Sequence, residues 1–185
     1  KLPTDHPRQA VPSYHAAMYR HLLPEELCRS IDKLNRAEGV TLYMTLLAAF
    51  QVLLAHVSGQ RDILIGSPIA NRNRGEIEGL IGFFVNSLAM RADLSDNPSF
   101  GLLLTRPRRS TLEAYAHQDV PFEKLIEDLA PQRDLNHNPL FSIMFAVQNA
   151  PNQKIELPGL AVVIWGETVT TRFEMEWHVL EENGQ

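Results

Sequence analysis

Apolar residues recur at helical spacing in two consecutive segments near the beginning of the chain. Residues 24–37 form the first predicted helix, in which apolar side chains follow one another at spacings of four and three residues. Gly39 is placed to end this helix in a left-handed conformation. Thr41 is placed to cap a second helix over residues 42–57. That helix is apolar almost all round, so we expect it to be buried on most of its faces.

Further along the chain, short apolar or alternating patterns indicate β-strands. Strands are predicted over residues 62–69, over 80–91 after a turn around Gly82, over 141–148 and over 173–181, with short extended pieces within 155–165. The first has the β-branched character of an interior strand, and the third is apolar on both faces. The last alternates apolar with polar residues and should be buried on one side only. The polar stretch 71–79 is predicted to be a loop.

Two more helices are predicted in the second half of the chain. Residues 99–117 have a helical pattern, but Pro107 lies in the middle, where it should kink or split the helix at a cost of about 3 kcal/mol. Pro121 opens a shorter helix that extends to Leu129. Helices and strands therefore alternate along one unit without internal repeats. The predicted fold class is α/β, a two-layer sandwich with a mixed β-sheet.

Composition and charge narrow the class of protein. The chain has 185 residues, of which 44% are hydrophobic and 21% charged, as is typical of a protein with an apolar core. Its formal net charge of −5 argues against binding to nucleic acid, which needs a basic surface. No apolar run approaches the roughly 18 residues of a membrane span, so no membrane partner is expected. Cys28 is the only cysteine, which fits a cytoplasmic protein, and we interpret it as a small packing residue.

Both ends of the sequence lack the elements that normally close a domain. Residues 1–11 carry two prolines and no periodicity, as a linker does, and only four residues follow the last predicted strand. A sheet that ended on this strand would leave a row of unpaired backbone groups. We therefore expect the sequence to be part of a larger domain.

Residue types and spacing alone indicate no catalytic or metal-binding constellation. A Gly-x-Ser-x-Gly elbow and a glycine-rich phosphate loop are missing from the sequence, and the seven histidines lack zinc-binding spacing. His117 and Asp119 are close enough in sequence to suggest an acid–base pair, but a structural role is favoured. Asp119 precedes the helix that Pro121 opens and is placed to cap its free N–H groups. His56 is interpreted in the same way, as a residue at the end of a helix.

Three stretches of the sequence carry a family resemblance. Residues 81–87 (Ile-Gly-Phe-Phe-Val-Asn-Ser) resemble the Ile-Gly-x-Phe-Val-Asn-Thr motif of nonribosomal peptide synthetase condensation domains. Residues 117–123 (His-Gln-Asp-Val-Pro-Phe-Glu) are similar to the motif His-Gln-Asp-x-Pro-Phe-Glu at every fixed position. Residues 133–140 are similar to Arg-Asp-x-Ser-x-Asn-Pro-Leu, with an asparagine in the place of the serine. Because segments 2–8 and 65–72 also resemble the family, the resemblance covers nearly the whole chain.

The resemblance implies a fold and an activity. Condensation domains resemble chloramphenicol acetyltransferase, and two lobes of that fold form a V with a tunnel between them. Carrier proteins insert phosphopantetheine arms from opposite ends, and the acceptor's amine attacks the donor's thioester to form a peptide bond. The family's His-His-x-x-x-Asp-Gly motif belongs to the N-terminal lobe, and this sequence contains neither His-His nor Asp-Gly. The resemblance therefore implies a C-terminal lobe that has no catalytic residue of its own and is inactive alone.

The resemblance also assigns regions and residues. It implies a linker from the N-terminal lobe at residues 1–12, a floor loop of the tunnel at 70–84 and a latch onto the N-terminal lobe at 149–161. Candidate tunnel or motif residues are Ser67, Asn86, Gln118 and Asp119. Candidate structural residues of the motifs are Gly82, Pro121, Phe122, Arg133, Asp134, Asn138 and Pro139. A buried Asn86 would need a partner for its amide; it either fixes the turn into the next strand, which we favour, or faces the tunnel.

The implied partners are the N-terminal lobe, donor and acceptor peptidyl carrier proteins, and a neighbouring adenylation domain. No cofactor is expected to bind directly, since the phosphopantetheine arms belong to the carriers. Two alternatives stay open. The chain could be the lobe of an epimerisation or cyclisation relative, or it could be a non-catalytic module that docks carriers or neighbouring domains through an exposed patch.

Overall fold

The computed structural model describes residues 2–7, 13–72, 74–129, 140–148, 160 and 170–181. The helices are α1 (Glu25–Glu38), α2 (Leu42–Ser58), α3 (Gly75–Glu78), α4 (Phe100–Ala116) and α5 (Phe122–Leu129). The strands are β1 (Asp62–Ile69), β2 (Asn86–Asp93), β3 (Ile143–Gln148) and β4 (Met175–Leu180). Within the predicted extended pieces at 155–165 the structure describes Leu160, and within the motif at 133–140 it describes Leu140; the rest lies outside the described residues.

The four strands form one mixed sheet in the order β2–β1–β3–β4. β1 and β2 are antiparallel, in a register that runs from Asp62 opposite Asp93 to Ile69 opposite Asn86. β3 is parallel to both β1 and β4. The apolar strand β1 therefore lies inside the sheet, as its sequence predicts, while β2 and β4 form the edges of the described sheet.

Helices α2 and α4 pack against each other and against the sheet, which gives the two predicted layers. Phe145 is the largest fully buried side chain, and its ring contacts those of Phe50 and Tyr43. Removal of these apolar surfaces from water is the main force that holds the helices on the sheet. The core cluster consists of Leu47, Ala48, Phe50, Leu54, Ile63, Ile65, Leu88, Met90, Leu94, Leu103, Leu104, Ile143 and Phe145.

The ends of the first helices follow their sequence signals. Gly39 ends α1 in the left-handed region, with a φ of 62°. The hydroxyl of Thr41 accepts a hydrogen bond from a backbone N–H of the first turn of α2, at 3.2 Å. In the interface of the two helices, the buried hydroxyl of Thr45 donates to Oδ1 of Asn35 at 2.5 Å. This bond satisfies two polar groups that would otherwise be buried without a partner.

Three predictions differ from the structure. The segment 71–79 contains the helix α3, because four residues are too few to show a helical period. α1 begins at Glu25, so Pro24 is its N-cap rather than its first residue. Pro107 does not split α4, which is one helix from Phe100 to Ala116 with Pro107 buried inside it. Tertiary packing of the buried face of α4 therefore outweighs the missing backbone hydrogen bond.

β4 is buried on one side, in line with its alternating sequence. Met175 and Val179 pack against the core, and the side chains that alternate with them are exposed. Trp177 lies on the same side of the strand as Met175 and Val179. Its ring meets Phe50 edge-on, at 4.7 Å between ring centroids, and remains 41% exposed. The described edge of the sheet thus leaves part of a large aromatic side chain uncovered.

Candidate functional site

Asn86, the first residue of β2, is joined through its side chain to the loop between α4 and α5. Its Nδ2 group donates to the backbone carbonyls of Gln118 and Val120, each at 2.8 Å. Its Oδ1 atom accepts from the backbone N–H of Phe122 at 3.1 Å and from that of Ser87 at 2.9 Å. An amide side chain offers two N–H groups and one oxygen with two lone pairs. Asn86 therefore uses its whole hydrogen-bonding capacity in these four bonds.

These bonds anchor the loop of residues 117–121 to the sheet. The N–H of Phe122 is the first of α5 and has no acceptor within its own helix. Asn86 supplies that acceptor from the neighbouring strand, as an N-cap side chain would. Asp119 is exposed in the same loop, and its predicted capping role stays a prediction.

His117 ends α4 and is bonded to its own helix. Its Nδ1 atom lies 2.8 Å from the carbonyl oxygen of Glu113, and the ring must donate this bond because a carbonyl only accepts. The imidazole thereby satisfies one of the last free carbonyls of the helix. This contact agrees with a structural role for the segment rather than with acid–base catalysis.

An aromatic cluster connects the anchored loop with the middle of β1. The ring of Phe122 lies 5.1 Å from that of Phe141, which lies 6.0 Å from that of Phe173, between centroids. Phe141 is buried and lies across Gly66. A Cβ atom at residue 66 would lie 2.1 Å from Cε2 of Phe141 and 2.5 Å from the sulfur of Met144, well inside contact distance. Only a glycine at position 66 allows this close approach.

Ser67 is buried on the neighbouring position of β1. Its hydroxyl donates to the backbone carbonyl of Phe145 at 3.0 Å and so ties β1 to β3. Burial raises the pKa of the nearby Tyr43 phenol above its ordinary range, and the Ser67 hydroxyl opposes this shift. The Tyr43 oxygen is itself buried, and no described atom forms a hydrogen bond of normal geometry with it. The Ser67 proton is thus engaged in a bond between strands.

Arg72 holds the loop that precedes β2. Its Nη1 atom donates to the backbone carbonyls of Ile77, Glu78 and Leu80, at 2.6, 3.1 and 2.9 Å. The guanidinium group lies over the ring of Phe84, 4.3 Å from its centroid. One half-buried side chain therefore contacts α3, the turn after it and the approach to β2.

The same loop presents apolar side chains to solvent. Leu80, Ile81, Phe83 and Val85 form what we call the apolar platform. Ile81 is fully exposed, Phe83 is 90% exposed, and the other two are about half exposed. Scattered exposed apolar residues are normal, but four within six consecutive positions mark a contact surface.

A second polar cluster lies on the exposed side of β3 and β4. Nε2 of Gln148 lies 3.3 Å from Nδ1 of His178, and Nε2 of His178 lies 3.2 Å from a carboxylate oxygen of Glu176. The other carboxylate oxygen of Glu176 accepts from the hydroxyl of Thr171. Because the amide donates to Nδ1, the proton of a neutral His178 lies on Nε2, toward the carboxylate. Both ring nitrogens are therefore engaged.

Metal binding and membrane insertion find little support in the described part of the chain. No group of three or more His, Cys, Asp or Glu side chains there is arranged to hold a metal ion. Likewise, none of the described helices alone has the length and apolar character of a membrane span; α1 and α2 pass that test only as a pair, bent by 105°.

Comparison with known proteins gives the family. A family model described as "Condensation domain" matches residues 1–183. The chain belongs to the condensation-domain family. The linear gramicidin synthase of Brevibacillus parabrevis is 49% identical, in one of its subunits, over 99% of this chain, and Malpinin synthetase of Mortierella alpina is 51% identical over 87% of it. The resemblance to nonribosomal peptide synthetase condensation domains is thereby confirmed, although this condensation-domain chain spans only 2% of the length of either relative.

Solved structures of condensation-type domains share the fold. The X-domain from teicoplanin biosynthesis matches with a TM-score of 0.90 at 26% identity, over 98% of this chain and 41% of that one. The condensation domain from the Monacolin K polyketide synthase MokA matches with a TM-score of 0.66 at 28% identity, over 80% of this chain and 34% of that one. These likenesses confirm the predicted chloramphenicol acetyltransferase-like α/β class.

In this condensation domain, the structure brings part of the predicted site together. Asn86 meets the backbone of Gln118 and of Phe122 directly. Pro121 completes the same loop, and its carbonyl accepts from two N–H groups of α5. Asp119 lies between them. The motifs at 81–87 and 117–123 therefore form one structural unit.

The other predicted residues are placed differently. Ser67 lies on β1 with its hydroxyl bonded to β3. Gly82 lies within the platform loop, where a Cβ atom would come 3.0 Å from the ring of Phe84. Four predicted residues lie outside the described part of the chain: Arg133, Asp134, Asn138 and Pro139.

Reasoning from the sequence missed three residues that shape this site. Gly66 in the middle of an apolar strand is a signal of close approach by another group, and it could have been used. The partner of Gly66, Phe141, gives no such signal. Arg72 lies within the recognised segment 65–72, but its three carbonyl acceptors lie up to eight positions further along the chain, where no pattern announces them.

Proposed function

We propose that this chain is the C-terminal lobe of a condensation domain whose complete form makes a peptide bond between carrier-bound thioesters in nonribosomal peptide synthesis. The family match over residues 1–183 and the synthetase relatives support the reaction class. The chain matches 41% of the teicoplanin X-domain chain, which supports a lobe rather than a complete domain.

The observation that carries this proposal is the bonded link at Asn86. It joins two motif segments across 32 to 36 positions of the chain. Its four bonds fix the end of the sheet where β2 begins and α5 starts. A rigid wall of this kind is what a tunnel needs if two long acyl arms are to meet in one geometry. We assign Ser67, Asn86, Gln118 and Asp119 to that wall or to its support.

The apolar platform supports a missing partner surface, and we assign that surface to the N-terminal lobe of the same domain. Contact with another surface would remove the four side chains from water, at about 25 cal/mol per Å² of apolar area. In the proposed arrangement residues 1–12 lead from the N-terminal lobe, residues 70–84 form the floor loop, and residues 149–161 form the latch. The platform then lies at the end of the floor loop.

The proposed reaction is aminolysis of a thioester. The acceptor's amine nitrogen bonds to the donor's carbonyl carbon, the carbon–sulfur bond breaks, and the proton lost by nitrogen ends on the departing thiol. A base or positioning group has to handle that proton. In the part of the chain that the structure describes, His117 is bonded to its own helix and His178 is engaged at both nitrogens. We therefore assign the group to the His-His-x-x-x-Asp-Gly motif of the partner lobe.

The proposed partners follow from this reaction. Donor and acceptor peptidyl carrier proteins bring the two thioesters on their phosphopantetheine arms, and an adenylation domain is the expected neighbour that loads them. The chain itself then needs no bound cofactor. Its own residues hold the acyl groups in line and exclude water, so that hydrolysis of the thioester does not compete with the amine.

Co-expression with the N-terminal lobe tests the proposal. Association of the two lobes is measured by size-exclusion chromatography with light scattering, and peptide-bond formation by intact-protein mass spectrometry with loaded donor and acceptor carriers. Product that requires both lobes is the expected result. Product from this chain alone would contradict the assigned role of the missing histidines, and no product from an associated pair would contradict the reaction.

One observation favours a second candidate, a non-catalytic docking module. The chain matches the X-domain in the structure "Complex of the X-domain and OxyB from Teicoplanin Biosynthesis" with a TM-score of 0.88 at 27% identity. That X-domain is bound to another protein, OxyB. If the present chain has a similar task, the associated lobes would bind a protein partner but transfer no acyl group. The same mass-spectrometric assay separates the two candidates.

A further inference from the structure

The loop between β1 and β2 has little apolar core of its own. α3 has only four residues, none of them buried, and its N-cap residue Arg74 makes no capping bond through its side chain. The apolar platform that follows is turned toward solvent. Segments with few buried contacts open locally at low free energy. Something other than an apolar core must therefore hold this loop in one conformation.

Arg72 supplies that support. Asn71, immediately before it, has a φ of 51°, in the left-handed region that asparagine adopts more readily than most residues. From this turn the Arg72 side chain reaches three consecutive parts of the loop, through the carbonyls of Ile77, Glu78 and Leu80. These bonds satisfy acceptors at the end of α3 that a helix of four residues cannot satisfy by itself.

The ring of Phe84 closes the arrangement from the other side. The guanidinium group lies 4.3 Å from its centroid, within the range of a cation–π contact. Arg72 thus joins the beginning of the loop, its helix and its last residues before β2. The platform residues Leu80, Ile81 and Phe83 lie between these fixed points along the chain.

We propose that Arg72 is a positioning residue that preforms the apolar platform for the partner lobe. The inference deepens the proposed function and rests on it for the identity of the partner. Arg72 does not touch the reacting atoms; it acts through the backbone of residues 77–80 and through Phe84. A preformed loop spares the complex the entropy of ordering that loop on contact, which strengthens association.

Lysine should not replace arginine here. A lysine ammonium is a point charge on a stem without a planar group, so it cannot lie flat on the Phe84 ring while reaching the same carbonyls. R72K therefore separates the loss of geometry from the loss of charge. R108A is the matched control, since Arg108 is an exposed arginine of α4 outside the platform loop.

The test measures amide hydrogen exchange of residues 75–85 in the condensation domain that contains both lobes, and the dissociation constant of the two separately expressed lobes. We expect R72A and R72K to raise the exchange rate in this segment by about tenfold and to weaken lobe association by a similar factor, while exchange in β1 stays unchanged. R108A should match the wild type in both measurements.

Coupling between Arg72 and Phe84 supplies a readout that a general loss of stability would not move. If the two act as one unit, R72A and F84L combined should weaken association no more than R72A alone. Unchanged exchange in R72A, or unchanged association despite faster exchange, would overturn the inference. If the wild-type lobes form no peptide product, the proposed function fails, and the exchange and association measurements still decide the role of Arg72.

Discussion

Nδ2 of Asn86 lies 2.8 Å from the backbone carbonyl oxygen of Gln118, and this bond ties the start of an edge strand to the end of a distant helix. The same amide completes its bonding with Val120, Phe122 and Ser87. Because the acceptors and donors are all backbone groups, the contact depends on Asn86 and not on the side chains of the loop. Substitutions at this one position therefore test the whole junction.

Asn86→Asp replaces the amide by a group of the same shape that is unable, when charged, to donate to two carbonyls. We expect N86D to lower the free energy of unfolding by about 1–3 kcal/mol at neutral pH, because two backbone carbonyls lose their donor and face a carboxylate. Urea unfolding monitored by circular dichroism measures this.

The pH dependence of N86D gives the prediction a sign. The neighbouring carbonyls disfavour the charged form, so the pKa of the new carboxyl should be higher in the folded than in the unfolded state. The stability that comes from protonation is then present below about pH 4 and lost as the pH rises through the folded-state pKa. N97D, the same change at an exposed turn, should show no such recovery. A loss in N86D that is equal at all pH values would contradict the hydrogen-bond assignment.

Gly66→Ala tests the close approach of Phe141 to β1. The new Cβ would lie 2.1 Å from that ring, so G66A should destabilise the fold by about 1–3 kcal/mol through overpacking. A second substitution, F141L, should recover part of the loss in G66A because it removes the clashing ring atoms. Thermal unfolding of the single and double variants measures this coupling.

Gly101→Ala is the control for this series. Gly101 lies in α4 with open space where the methyl group of an alanine would lie, so alanine there should raise stability by about 0.5–1 kcal/mol. Equal effects of G66A and G101A, or no rescue by F141L, would argue against the contact.

Tyr43→Phe tests the buried phenol. Burial raises the pKa of Tyr43, so the folded state keeps the phenol neutral while the unfolded state ionises at about pH 10. The contribution to stability is therefore complete below about pH 10 and is lost as the pH rises through the folded-state pKa. Y43F should be at least as stable as the wild type at pH 7 and should lose less stability between pH 8 and pH 11.

Urea midpoints at these pH values check the Tyr43 prediction, with Y19F as the control because Tyr19 is 88% exposed. A large loss in Y43F at pH 7 would mean that the phenol oxygen has a partner of real energetic weight. An unchanged alkaline loss would mean that another group titrates there.

Local sequence signals predicted most of the fold. β1 was predicted with its observed bounds because a short β-branched run between polar turns has few alternatives. α2 follows from Thr41, its apolar length and Gly59, all of which act within the helix itself. α3 was missed because a helix of four residues has no periodicity, and its end is satisfied by Arg72 rather than by a local signal.

The candidate site depends on contacts that no local pattern contains. The motifs at 81–87 and 117–123 were recognised separately, and a structural use of Asn86 was favoured, but its acceptors lie more than 30 positions away. The packing of Phe141 on Gly66 likewise joins residues that are distant in sequence. Pro107 shows the reverse case: local physics predicts a broken helix, and burial of that helix against α2 and β2 keeps it whole.

The central claim is that this chain builds one wall of a peptide-bond-forming tunnel and needs a second lobe to act. The most direct measurement is the mass of the acceptor carrier after incubation with a loaded donor carrier and with each lobe omitted in turn. The account predicts that the acceptor gains the donor's acyl group only when both lobes are present. An acyl gain with this chain alone, or none with both lobes associated, would contradict it.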